Sequence, residues 1–285
     1  MSRYDIDKHD FWFKKAYDEI PRVIRECVVV TDREIKVRLE GEPFPGPPGP
    51  FPWVTGYAIE ALRKNKVIKC YGYRGRRRIK GGVTNRFYCL YNTPYSEVED
   101  IIQRKRRVSA DVNTLLTGEA SASYHAEDLF LEAFVDRLGF ICHKRDASEF
   151  RGRRVSGVKG KKPPDIDFVL ERDGIFFGVD VKNWIRYEYE TPKDVYVKLK
   201  VAEELGLVPF IIARYLHRDL TNEIIYERHG LVYEYKYLIL QPSVRSLAEE
   251  ARELLGYPVL AVDVLPDFMV EKIEDIYTRY KRKKG

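Results

Sequence analysis

Little in this sequence invites a disulfide, a zinc site or a membrane span. Its four cysteines, Cys27, Cys70, Cys89 and Cys142, stand far apart with no C-x-x-C pair. Neither a disulfide framework nor a cysteine-rich metal cluster is expected, and a reducing, cytoplasmic setting is the simplest home. No apolar run approaches the ~20 residues that cross a bilayer. The amino terminus is polar and charged, so neither a signal peptide nor a transmembrane segment is expected. Glutamine is almost missing, confined to Gln103 and Gln241, while charged residues make up 33% of the chain; heat-adapted proteins share this bias. No internal repeat is visible. What remains is a chain of 285 residues, long enough for two domains, with a net charge of +6 that favours a polyanionic partner.

The stretch around which the rest is organised runs from Pro163 to Asn183 and reads PPDIDFVLERDGIFFGVDVKN. Two apolar runs, Phe168 to Leu170 and Ile175 to Val181, flank Asp173-Gly174, a pair that signals a tight hairpin. Asp165 and Asp167 stand at the start of the first strand, and Asp180 and Lys182 near the end of the second. Residues two apart on a strand share a face, and an antiparallel pair sets the start of one strand against the end of the next. The sequence therefore predicts a cluster of carboxylates with one ammonium at one end of an oily hairpin. Buried like charges are unfavourable unless something pairs with them, and a hard divalent cation with oxygen ligands would do so.

Asp167 followed by Asp180-Val181-Lys182 resembles the PD-(D/E)xK signature of the restriction endonuclease-like nuclease superfamily. The resemblance implies magnesium-dependent hydrolysis of a phosphodiester, with manganese as a substitute. It implies that Asp167 and Asp180 hold the metal, while Lys182 positions the attacking water and steadies the phosphorane charge. Pro164-Asp165 also fits the letters of the signature, so the first ligand stands between Asp165 and Asp167. Asp167 is preferred because Phe-Val-Leu follows it directly.

Upstream, Ser123 can cap a helix that runs to Leu138 and stops at Gly139. Glu127 lies three, four, seven and eleven residues before Phe130, Leu131, Phe134 and Leu138, so it shares their apolar stripe. Helices preceding the hairpin in the superfamily often give a glutamate to the metal site, and the resemblance assigns that part to Glu127. Phe140 to His143 reads as the first strand of the sheet. The loop from Lys144 to Lys162 is rich in Arg, Lys and Gly, and its Lys159, Lys161 and Lys162 are candidates to meet phosphates. A helix from Thr191 to Leu205, with Lys193, Lys198 and Lys200 on its outer side, leads to a buried strand over Pro209 to Arg214. Together these give the α-β-β-β-α-β plan of the superfamily, and their order resembles its Holliday junction resolvase-like branch.

The amino-terminal third reads differently. A helix is expected over residues 10 to 26, with Pro21 breaking or kinking it, then short strands at Cys27 to Val30 and Glu34 to Leu39. A Pro/Gly-rich connector leads to a helix over Val54 to Lys64 and strands at Val67 to Tyr71 and Arg86 to Tyr91. The basic loop between those strands carries Arg74, Arg76, Arg77, Arg78 and Lys80. This order resembles a winged-helix module whose wing neutralises phosphates. A capping box at Ser96-Glu-Val-Glu99 starts a short helix ending in Arg104-Lys-Arg-Arg107. Downstream, Leu231 to Leu240 and Tyr257 to Val264 read as strands, and Ser246 to Leu255 and Asp267 to Tyr280 as helices.

The expected class is α/β. Residues 1–110 form a smaller winged-helix-like α+β domain, 111–122 a linker, and 123–285 the restriction endonuclease-like core, a central mixed sheet flanked by helices. The function expected is a metal-dependent DNA endonuclease. A homodimer would supply the two centres needed to cut both strands of a duplex. Two other readings stay open: a metal-free RNA-cleaving nuclease of the tRNA splicing type, drawing on His217 or His229, and a DNA-binding protein whose nuclease site is idle.

Overall fold

A computed structural model describes residues 10–40, 52–71, 86–117, 122–157, 162–183, 193–214, 216 and 218–284. The chain divides into two units, Met1–Thr114 with Ser246–Val259, and Leu115–Arg245 with Leu260–Gly285.

In the first unit, helix α1 (Phe11–Cys27) is capped by Asp10, whose Oδ1 accepts from the N–H groups of Trp12 and Phe13. Ala16, Ile20, Val23 and Ile24 form its buried face. Pro21, expected to break or kink the helix, lies inside it and is buried, and the helix continues to Cys27. One backbone hydrogen bond is missing there, and burial of the ring on the apolar face offsets it. Strand β1 (Val30–Thr31) leads to helix α2 (Asp32–Glu40), where a strand over Glu34 to Leu39 was expected. The alternation Glu-Ile-Lys-Val-Arg-Leu does have a period of two. The start signal overrides it: Glu34 N–H donates to Thr31 Oγ1 at 3.1 Å, and Thr31 N–H donates to Glu34 Oε2 at 3.3 Å, a reciprocal capping box.

Helix α3 (Pro52–Lys64) and strands β2 (Ile68–Tyr71) and β3 (Phe87–Leu90) complete this part, with the antiparallel order β1–β3–β2. Helix α4 (Tyr95–Thr117) is longer than expected, passing through Arg104–Arg107 and most of the anticipated linker. Buried Val108 and Val112 continue its apolar stripe, which is why the basic cluster does not end it. Lys105 points inward, donating to Glu34 at 2.6 and 2.8 Å and to the Val29 carbonyl at 2.7 Å. The boundary between the units falls inside α4, between Thr114 and Leu115, and residues 246–259 belong with the amino-terminal part.

The second unit opens with helix α5 (Ala122–Glu132), prolonged by a π-turn over Ala133–Arg137, and Gly139 leaves it at φ +68°. Strand β4 (Ile141–Ala147) runs on into a small hairpin of β5 (Glu149–Phe150) and β6 (Arg153–Arg154), so much of the basic loop after His143 is strand. Strands β7 (Ile166–Arg172) and β8 (Ile175–Lys182) follow, then helix α6 (Lys193–Leu205) and strand β9 (Val208–Ala213). Helix α7 (Arg218–Asn222), not expected from the sequence, precedes β10 (Leu231–Glu234) and β11 (Leu238–Leu240). The chain then forms α8 (Arg245–Leu255), β12 (Val259–Ala261) and α9 (Asp267–Lys284).

The described residues build a five-stranded mixed sheet in the order β10–β9–β8–β7–β4. β8, β9 and β10 are parallel; β7 is antiparallel to both β8 and β4. Phe134, Phe140, Phe177 and Phe210 meet edge to face with centroids 5.0 to 6.4 Å apart, at the centre of a core closed by Met269, Ile273 and Tyr277 of α9. No helix among the described residues is long and apolar enough to cross a membrane.

Candidate metal centre

The turn between β7 and β8 fixes everything at their far end. Asp173 and Gly174 both adopt positive φ, +55° and +76°, as a two-residue type I′ turn requires. That turn pairs Arg172 with Ile175 and, four steps on, Phe168 with Val179. One further step sets Asp167 opposite Asp180 on one face of the sheet. Lys182, two residues beyond, shares that face. The site thus stands at the carboxyl ends of the parallel strands, where open α/β sheets hold their ligands.

Asp180 is fully buried and Asp167 nearly so. Asp167 Oδ2 accepts the Val181 N–H at 2.7 Å, and its Oδ1 accepts from Lys198 Nζ at 3.1 Å. Lys182 Nζ lies 2.8 Å from Asp180 Oδ1 and 2.7 Å from Oδ2. Oδ2 has no well-aligned hydrogen-bond donor despite that approach. Burial, with the Asp167 charge beside it, pushes the Asp180 carboxyl upward.

Glu127 comes to the site from α5. It is half-buried, and burial together with Asp167 pushes its carboxyl up to about 8, against the downward pull of Lys182. Asn183 anchors this helix. Its buried Nδ2 donates to the carbonyls of Ala122 and Ile239, at 3.0 and 2.7 Å, and its Oδ1 accepts the Ile239 N–H at 3.0 Å. The first residue of α5 is thereby tied to the end of β8, one turn from Glu127. His125 bonds the Val262 carbonyl at 2.7 Å and belongs to the packing of the helix.

Lys198 departs from expectation. Expected on the outer side of α6 with Lys193 and Lys200, it turns inward: Nζ lies 3.1 Å from Asp167 Oδ1, 3.1 Å from Asp180 Oδ1 and 3.4 Å from Asp165 Oδ1. Burial pulls its ammonium down, but Asp180 and Asp167 outweigh that and hold the proton on. The sequence does carry a signal: Val195, Lys198, Leu199, Ala202 and Leu205 repeat at helical spacing, the argument that places Glu127 inward.

The geometry also separates the two candidate first ligands. Asp167 faces Asp180, whereas Asp165 is more exposed and shared between Lys162, at 2.9 Å, and Lys198. Lys162 is exposed beside the site; Arg74, Arg76, Arg77, Arg78, Lys80, Lys159 and Lys161 lie outside the described residues.

Among the described residues no three carboxylate, imidazole or thiolate side chains close on one point. Magnesium does not need three, since it is commonly held by one or two carboxylates and keeps several waters. Two opposed carboxylates, a buried oxygen without an aligned donor and a cation already between them fit a hard divalent ion. Comparison of the chain with family models, curated proteins and solved structures finds no match.

Proposed function

We propose that this chain is a magnesium-dependent DNA endonuclease built on a PD-(D/E)xK site. The observation that carries the proposal is the juxtaposition of Asp167, Asp180 and Lys182 at one sheet end, with Glu127 directed there by α5. Asp167 and Asp180 would hold the ion and Glu127 would complete the acidic wall. When bound, magnesium supplies Lewis-acid polarisation of the phosphate and a lowered pKa for its water.

The chain's own residues do the rest. Lys182, fixed by Asp180, has donors left to orient a water toward phosphorus, and its charge opposes the negative charge that grows on the phosphoryl oxygens as the new P–O bond forms. The attacking water gives one proton to solvent as its oxygen bonds to phosphorus, and the ester oxygen departs opposite, breaking its own P–O bond and taking a proton from solvent.

The element order supports the family likeness: α5, then three antiparallel strands, α6, and a parallel strand in one sheet. In the first unit, α1–β1–α2–α3–β2–β3 with sheet order β1–β3–β2 supports a winged-helix-like DNA-binding part. The metal-free RNA reading finds less support, because His229 precedes β10, at the opposite end of the sheet from Lys182, and His217 lies outside the described residues.

Duplex, single-stranded, flap and four-way-junction DNA, with an RNA control, should be incubated with the protein and magnesium or manganese. Cleavage of a DNA form is expected, and it should vanish in chelator and in Asp180→Ala and Lys182→Ala. Cutting that persists in chelator overturns the metal mechanism. Binding without cutting in every case overturns the enzyme.

A further inference from the structure

The two opposed carboxylates are already bridged by a cation that belongs to the chain. Lys198 Nζ sits at 3.1 Å from an oxygen of each, equidistant, where an ion shared by Asp167 and Asp180 would stand. Like charges directly opposite across a strand pair are destabilising. Among the described residues Lys182 forms its ion pair with Asp180, so it neutralises that carboxylate and leaves the charge of Asp167 opposite it. The second lysine is therefore what lets Asp167 and Asp180 stand together without a metal.

We infer that Lys198 is a tethered counter-ion that occupies the bridging position in the metal-free protein and is displaced when a divalent cation enters. The inference rests on the reading of Asp167 and Asp180 as cation ligands. An ammonium 3.1 Å from one oxygen of each carboxylate fills the space that a divalent ion held by the same two oxygens, at about 2.1 Å, would need. The two cations cannot share the position, so one must leave. Asp165 provides the place to go: its Oδ1 lies 3.4 Å from Nζ and is not part of the opposed pair. Once moved there, the ammonium stands at the rim, facing the phosphates of a substrate. The ion and the lysine then compete for the same oxygens, and the lysine sets how much divalent cation the protein requires.

The test is direct binding, not turnover. Manganese titrated into the full chain by calorimetry or paramagnetic resonance should bind Lys198→Met about tenfold or more tighter than wild type. Lys198→Gln, neutral but able to donate one hydrogen bond, should lie between. Asp180→Asn should abolish binding in both backgrounds. If a lysine variant does not fold in chelator, millimolar manganese should restore its near-ultraviolet dichroism. Unchanged or weaker manganese binding in Lys198→Met, or no rescue by manganese, overturns the inference.

Cleavage assays on the same proteins separate the two proposals. A wild type that cuts DNA, with manganese affinity indifferent to Lys198, sinks the displacement and leaves the nuclease standing. Tighter binding in the variant, with no DNA form cut, does the reverse.

Discussion

At the scale of single residues, burial at the site works against the charged forms of Glu127 and Asp180. Glu127 makes this measurable. Its carboxyl, pushed up to about 8 by burial and by Asp167, lies well above the ordinary carboxylate value. The folded state therefore holds a proton that the unfolded chain releases at lower pH. The stabilisation this gives is complete in acid and is lost as pH rises through about 8. Glu127→Gln keeps the shape and removes the titration. In chelator, thermal melts at pH 6 and pH 9 should show the variant holding its melting temperature across the interval better than wild type, while magnesium-dependent cleavage drops. Parallel pH dependences in the two proteins would mean that Glu127 is solvated and not part of the site. Glu127 is legible in the sequence because one acidic residue on an apolar stripe stands out. Lys198 satisfies the same rule yet looks outward-facing, since lysines on a surface helix are commonplace. Asn183 gives no signal at all, because its partners at Ala122 and Ile239 are 61 and 56 residues away.

At the scale of elements, what can be read is what local chemistry decides. The β7–β8 hairpin is visible because Asp-Gly suits the two positive φ angles that the turn needs, and the register follows from it. The β5–β6 hairpin uses the same two-residue turn, with Arg151 at φ +46° and Gly152 at φ +78°, but Arg-Gly is a poor advertisement for it. Its arginines face outward. Arg151 stacks 3.9 Å from the centroid of Phe176, Arg154 pairs with Glu149, and Arg153 is exposed. A rigid, aromatic-backed knob with two arginines beside it suits a run of phosphates. Replacing Arg151 and Arg153 together with Ala should weaken duplex binding at low salt. It should also flatten the plot of log affinity against log salt by about 0.9 for each phosphate that is no longer neutralised. Fluorescence anisotropy across a salt series reads both. An unchanged slope would leave this hairpin out of the DNA interface. Where local chemistry is ambiguous the pattern misleads: Glu34 to Leu39 alternates like a strand, and only the Thr31–Glu34 capping box makes it a helix.

At the scale of the whole molecule, the division into units is legible only in outline. The sequence places a boundary near residue 110, since the composition shifts there, but the return of residues 246–259 to the amino-terminal unit depends on tertiary pairing such as Arg104 and Arg107 with Glu250. Such ion pairs between distant positions leave no local pattern. The site, by contrast, has a global consequence. A ligand that binds only the folded chain stabilises it by RT ln(1 + [L]/Kd), about 2.7 kcal/mol at a hundredfold excess over Kd. Magnesium or manganese should therefore raise the melting temperature of wild type, whereas sodium chloride at equal ionic strength should not. The shift should be larger at pH 8 than at pH 6, because protons on Glu127 and Asp180 compete with the ion and are scarcer in base. Chelator should reverse it, and Asp180→Asn, whose neutral amide still fills the space between Asp167 and Lys182, should show none. A melting temperature blind to divalent ions at both pH values would mean that the two lysines already satisfy the carboxylates for good, and that the acidic end of the β7–β8 hairpin is a structural ion-pair cluster instead of a centre for catalysis.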